Sequence, residues 1–166
     1  MRLFFAIWPN DTAREALVAL GTRLVQAAGG RATPGENIHL TLAFLGEVES
    51  ARVALLHRIA GEVRAGSFRL ALDRVGSFGR ARVAWAGADE PPRELMALQA
   101  DLSTRLRGNG FALEERDYSP HATLARKIER AVPRARVEAI EWPVAEYALV
   151  MSAAGRYTTL ASWRLG

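Results

Sequence analysis

The sequence predicts an α+β fold with mainly antiparallel sheet, arranged as two lobes about a pseudo-two-fold axis. Three observations carry this. Short β-rich runs alternate with segments of helical periodicity and are punctuated by turn glycines, as in strands paired through hairpins. The length of 166 residues suits one domain, or two half-size lobes sharing a core. The tetrapeptide His39-Leu40-Thr41-Leu42 recurs as His121-Ala122-Thr123-Leu124, displaced by 82 residues, about half the chain.

Leu3 to Trp8 reads as a buried strand, ended by Pro9, which lacks an N–H for further pairing. Asn10 or Asp11 can cap a helix running to about Ala28, with Ala16, Leu17, Leu20, Leu24 and Ala28 at helical spacing and Gly29-Gly30 as its stop. After the Pro34-Gly35 loop, Ile38 to Leu45 forms a second strand, closed by Gly46. Ser50 opens a helix to about Arg64. Three strand-like runs then form a meander: Phe68 to Leu72, Val75 to Phe78, and Arg82 to Ala86. Pro91-Pro92 starts a helix to about Arg107, stopped by Gly108-Asn109-Gly110. Phe111 to Glu115 and His121 to Arg126 are expected as strands, and Pro133 to Ala139 as a short helix. Tyr147 to Ser152 and Tyr157 to Leu165 are the last two strands, joined around Gly155.

Composition narrows the chemistry. No cysteine is present, which excludes disulfides, a thiolate nucleophile and sulfur-ligated metal sites. Only three histidines leave little for a metal cage, and no apolar run approaches the roughly 20 residues that span a bilayer. Met1 to Trp8 carries one cation and a short apolar stretch, a strand rather than a signal peptide, so a cytoplasmic location is expected. The net charge is +4, and every basic residue except Lys127 is arginine. A G+C-rich genome accounts for abundant arginine and alanine; arginine forks also suit phosphate recognition.

Along a strand, positions one and three of each tetrapeptide point to the same face. His39 therefore projects with Thr41, and His121 with Thr123, while Leu40, Leu42, Ala122 and Leu124 turn into the core. A histidine and a threonine separated by about 6.5–7 Å along a strand can hold one tetrahedral phosphate. If the lobes pair as the repeat implies, two imidazoles converge across a groove, a complete acid–base set for a phosphodiester. One takes a proton from water and the other gives one to the departing oxygen, both accessible near an unperturbed pKa of about 6.5. Such a site needs no metal. A single His-x-Thr on a strand is commonplace, because threonine is a good strand former and histidine can satisfy itself in a core; two copies at half-chain spacing, using two of only three histidines, bring the catalytic reading level with the structural one. His57, mid-helix, reads as a surface or half-buried residue, and Gly76-Ser77-Phe78-Gly79 as a turn between strands. Phe4, Phe5, Trp8, Phe44 and Trp85 read mostly as core, with room for one of them, which the sequence does not single out, to line the groove and stack on a base.

The paired tetrapeptides resemble the 2H phosphoesterase superfamily, and their surroundings resemble its RNA 2′,3′-cyclic phosphodiesterase branch, also called 2′-5′ RNA ligase. The matching stretches are Arg2 to Ile7, Asn37 to Gly46, Tyr118 to Arg126, and Gly155-Arg156-Tyr157 with Leu160 and Trp163. The resemblance implies a bilobal fold with sheets facing a central groove, helices outside, and one domain over residues 1–166. It implies hydrolysis of an RNA terminal 2′,3′-cyclic phosphate to a 2′-phosphomonoester, with no cofactor. By motif position His39 would be the proton donor and His121 the acceptor, a division the residues themselves leave open. Thr41 and Thr123 would contact phosphate, and Arg126 matches an arginine that follows the second motif. Strict alternation puts Arg126 on the face opposite His121, so its role requires a bulge or a reach around the strand edge. The expected partners are RNA ends bearing cyclic phosphate, or cyclic nucleotides, with no membrane and a monomeric chain. Two rivals stand beside this: 2′-5′ ligation of tRNA halves through the reverse reaction, and a non-catalytic RNA-binding module.

Overall fold

A computed structural model describes residues 1–166. Nine strands and three helices follow in the order β1 (Arg2–Ile7), α1 (Asp11–Ala28), β2 (Arg31–Ala32), β3 (Leu40–Glu47), α2 (Val53–Glu62), β4 (Phe68–Phe78), β5 (Val83–Gly87), α3 (Arg93–Gly108), β6 (His121–Arg126), β7 (Ala135–Val144), β8 (Glu146–Ala153) and β9 (Arg156–Arg164). Every strand pairing is antiparallel. The fold is α+β, as the sequence predicts.

The strands form one ladder in the order β7-β4-β5-β6-β3-β1-β8-β9, with β2 also on β6. It divides into two four-stranded halves, β9-β8-β1-β3 and β7-β4-β5-β6, whose inner strands carry the two tetrapeptides. The halves join through one register pair, Leu40 with Ala122. The two facing sheets that the resemblance implies are thus halves of a single ladder, stitched at one point beside the histidines. Extending that antiparallel register by one residue each way sets His39 across from Thr123, and Thr41 across from His121.

The helices bind the halves together. Helix α1 follows β1 of one half but packs on β6 of the other. Gly21 permits the approach, because a Cβ there would stand 3.0 Å from the Leu124 carbonyl oxygen. Helix α3 packs on β3, burying Leu95, Leu98, Leu102 and Leu106 at helical spacing. Helix α1 starts where the sequence places its cap: the Asn10 side chain accepts from the Ala13 N–H at 2.9 Å. It ends at Gly29, whose φ of 78° suits glycine.

Four expectations are corrected. Pro133 to Ala139 leads into strand β7 and is not a helix; Trp142 and Val144 are buried while Glu141 and Pro143 are exposed, a period of two, and β7 pairs with β4. Pro143 is tolerated because β7 lies at the sheet edge. Phe111 to Glu115 is irregular and pairs with no strand; the Phe111 ring is buried beneath the Arg52 guanidinium, 3.9 Å away. The runs 68–72 and 75–78 are one strand, β4, with a register shift between Leu72 and Arg74. Gly76 therefore is no turn residue: the Trp85 indole crosses β4 there, and a Cβ on Gly76 would overlap the ring. Finally, β3 starts at Leu40 rather than Ile38, since a 3-10 turn at Gly35–Asn37 occupies the approach. No helix is long and apolar enough to cross a membrane.

Candidate active site

A matched pair of bulges shapes the groove. Between β1 and β3, Phe5 pairs with Ala43 but Ala6 pairs with Thr41, leaving Leu42 as the extra residue. Between β5 and β6, Ala84 pairs with Ala125 but Trp85 pairs with Thr123, leaving Leu124 extra. A bulge sends two successive side chains to one face and reverses the alternation beyond it. Leu42 with Ala43, and Leu124 with Ala125, are accordingly all buried. The fifth residue after each histidine then returns to the groove: Phe44 in one half and Arg126 in the other. The bulge is why Arg126 shares a face with His121, while Lys127, which strict alternation would have chosen, lies outside the lining at a φ of 55°.

The resulting groove has a volume of about 340 Å³. His39, Thr41, His121, Thr123 and Arg126 all line it, so the structure brings together every site residue read from the sequence. Arg2, Thr33, Asn37 and Ser152 complete its polar wall, and Phe4, Phe44 and Tyr157 its aromatic one. No carboxylate lines it. Its polar groups are imidazole, hydroxyl, amide and guanidinium, a set that attracts an anion. Among the aromatic residues read as core, Phe44 is instead exposed in the groove, where the Arg2 guanidinium lies 5.2 Å from its ring.

Both histidines are held the same way. The Nδ1–H of His39 donates to the Asn37 carbonyl at 2.8 Å, and that of His121 to the Ser119 carbonyl at 2.8 Å. Each carbonyl lies two residues upstream, and each bond leaves Nε2 as the reactive nitrogen. For His39, Nε2 lies 3.0 Å from Thr41 Oγ1. Their environments then diverge. The His39 ring is enclosed by Phe4, Tyr157 and Trp8, at 4.9, 5.3 and 5.6 Å between centroids. This burial pushes its pKa below the usual 6.5, against the Asn37 carbonyl, which raises it; the charges of Arg126 and His121 push it down further. The ring of His121 meets only Phe78, edge-on at 5.2 Å. His57, read as a surface residue, is exposed on α2 against Trp163.

Tyr118, just ahead of β6, donates its hydroxyl to the Thr41 carbonyl at 2.7 Å and so ties the two motif strands together. Tyr118 and Tyr157 lie in stretches that carry the family resemblance, but nothing in their local spacing marks either as part of the site. Thr33, six residues before His39, and Arg2, inside the first resemblance stretch, also reach the groove, and neither carries a local pattern that marks it for the site.

Comparison with known proteins accords with this geometry. The family model for the 2′-5′ RNA ligase superfamily matches residues 7–156. The RNA 2′,3′-cyclic phosphodiesterase of Escherichia coli (strain K12) is 36% identical over 170 residues, spanning 99% of this chain and 96% of that protein. The protein of the same name from Thermus thermophilus is 34% identical over 167 residues, spanning 92% and 82%. A crystal structure of E. coli LigT complexed with 3′-AMP superposes with a TM-score of 0.89 at 36% identity, covering 99% of this chain and 97% of that one. On this match of model, sequence and fold, the chain belongs to the 2′-5′ RNA ligase superfamily.

Proposed function

We propose that this chain is an RNA 2′,3′-cyclic phosphodiesterase that hydrolyses terminal cyclic phosphates to 2′-phosphomonoesters, by metal-independent acid–base catalysis between His39 and His121. The observation that carries the reading is the pair of imidazoles in one carboxylate-free groove, each with Nδ1 tied to a backbone carbonyl and Nε2 left for chemistry. The relatives' name supports the reaction class. The LigT complexes with 3′-AMP and with phosphate support a nucleotide ligand.

In this mechanism neutral His121 takes a proton from water as the oxygen attacks phosphorus. The bond from phosphorus to the ribose 3′ oxygen breaks, and that oxygen takes a proton from His39. The open setting of His121 suits the water side, and the aromatic enclosure of His39 keeps water from the leaving oxygen. The phosphate anion supplies what the free groove lacks. Its negative charge favours the imidazolium of His39, opposing first the burial and then the Arg126 and His121 charges that hold that pKa down. Thr41 then turns its hydroxyl from Nε2 to a phosphoryl oxygen. Thr123 and Arg126 hold the others and stabilise the charge gathering there. We read the chain as one domain of two lobes, in which a monomer supplies both histidines.

The test is incubation of the purified protein, with chelator present, with 2′,3′-cyclic AMP and a cyclic-ended oligonucleotide. A 2′-monoester product is expected. A 3′-monoester, or activity abolished by the chelator and restored by a divalent ion, would overturn the mechanism.

A further inference from the structure

Strand β2 is only two residues long, and it lies against β6 with Arg31 directly across from Arg126 and Ala32 across from Ala125. The ladder runs one residue further, through a 2.9 Å bond from the Thr33 N–H to the Leu124 carbonyl. Partners across a ladder project to the same face, and so do residues two apart on one strand. Arg31 therefore shares the face of Arg126 and of Thr33, both of which line the groove. Gly30 allows this approach, since a Cβ there would overlap the Arg126 carbonyl oxygen.

Two like charges set directly across a ladder destabilise it. Here neither is compensated, for no carboxylate lies within ion-pair distance of Arg31 or Arg126. Neighbouring arginines are occupied: Arg82 donates to the Lys127 and Ile128 carbonyls, and Arg130 to the Ala27 carbonyl. Arg31 and Arg126 both stand exposed at the rim. A juxtaposition that costs stability in the free protein is relieved by an anion, and phosphate oxygens fit a guanidinium fork.

The groove has two distinct ends. With His39 across from Thr123 and Thr41 across from His121, Arg126 lies past Thr123, at the His39 end, and Phe44 lies past Thr41, at the His121 end beside Arg2. The Arg126 charge accordingly reaches His39. In the acid–base reading the ribose 3′ oxygen departs toward His39. On a ribose, C3′ is bonded to C4′, which carries the 5′ carbon, whereas C2′ is bonded to C1′, which carries the base. A group on the 5′ oxygen is thus carried on the His39 side, toward Arg126 and Arg31.

We propose that Arg31 is a specificity-determining residue that receives the phosphate on the 5′ oxygen of the terminal ribose. The groove then prefers RNA ends and 5′-phosphorylated cyclic nucleotides to a cyclic nucleotide with a free 5′-hydroxyl. The proposal rests on the reading above, through the assignment of the leaving oxygen to His39. The cyclic phosphate stays with the histidines, the threonines and Arg126; Arg31 takes the second anion, and no bond changes there.

The experiment compares hydrolysis of 2′,3′-cyclic AMP, its 5′-phosphorylated form and a cyclic-ended diadenosine dinucleotide. The parent protein should show a kcat/KM about five- to tenfold higher for both substrates that carry the 5′ phosphate, expressed in KM, the scale of one charged hydrogen bond at an exposed site. Arg31→Ala should remove that advantage and leave 2′,3′-cyclic AMP within about twofold, while Arg31→Lys keeps part of it. The urea midpoint of Arg31→Ala should equal or exceed that of the parent, because the like-charge pair is gone. An advantage for the dinucleotide alone would assign the contact to its extra nucleoside and overturn the proposal. So would no advantage in the parent, one that survives Arg31→Ala, or one lost in Arg2→Ala instead, which would place the 5′ side at the opposite end. Calorimetric binding of adenosine 2′,5′-bisphosphate against 2′-AMP, in the parent and Arg31→Ala, reads the same difference without turnover. Absence of hydrolysis with all three substrates therefore overturns the acid–base reading, while binding that is equal for the two nucleotides overturns the role of Arg31.

Discussion

Tyr118→Phe removes a single oxygen and with it the 2.7 Å bond to the Thr41 carbonyl that ties β3 to the approach of β6. The lost bond is worth about 1 kcal/mol net, rising to about 3 kcal/mol if the Thr41 carbonyl stays dry. For a chain of this length each kcal/mol moves Tm by about 2–4 °C, so a fall of about 2–12 °C is expected. The pH dependence is the sharper signature. Burial pushes the Tyr118 phenol well above its usual 10. Below pH 10 both folded and unfolded chains keep the proton, and the bond's contribution is fully present. Above pH 10 the unfolded chain ionises first, the folded state binds more protons, and stability falls by about 1.4 kcal/mol per pH unit for each such group. Tyr147, whose hydroxyl donates to the Ala60 carbonyl at 2.8 Å, is raised too, by burial and then by Asp101. The parent protein should therefore lose stability through two phenols, and the variant through one. Urea unfolding followed by circular dichroism at pH 8, 10, 11 and 11.5 measures both effects. An unchanged midpoint at pH 8 with an unchanged alkaline slope would show that the phenol is hydrated and that no clasp exists.

Three further outcomes are expected. His39→Ala and His121→Ala should each lower turnover of 2′,3′-cyclic AMP by about 10²–10⁴-fold with an unchanged circular dichroism spectrum; near-parent activity in either refutes the proposed roles. Arg126→Ala should raise KM by about 10–100-fold, the scale of one charged hydrogen bond. It should also move the His39 pKa up toward 6.5, because the guanidinium is one of the charges that hold it down; nuclear magnetic resonance titration reads this directly. Arg126→Lys should recover part of both. Gly76→Ala should cost about 1–3 kcal/mol by forcing a methyl against the Trp85 indole, read as a lower urea midpoint with altered tryptophan fluorescence. A midpoint equal to that of the parent would mean the indole has room to move.

What the linear order of residues settles is whatever the backbone decides locally. Alternation within His39-Leu40-Thr41-Leu42 and its repeat sorts groove from core without knowledge of any neighbour. Asn10 and Gly29 bound α1 through their own side chain and φ. The leucine spacing of α3 names its buried face. What fails to be legible depends on a partner far along the chain. Leu42 and Leu124 become bulges only against β1 and β5, and those bulges, not the spacing from the histidines, turn Phe44 and Arg126 into the groove. The segment after Pro133 is a strand because β4 offers it an edge, and Phe111 is held instead beneath Arg52, a residue far back in the chain. Arg31 carries no signal of its own until β2 lays it across from Arg126. The tertiary structure therefore decided which histidine is enclosed and which stands open, because solvation and cavities arise from atoms distant in sequence.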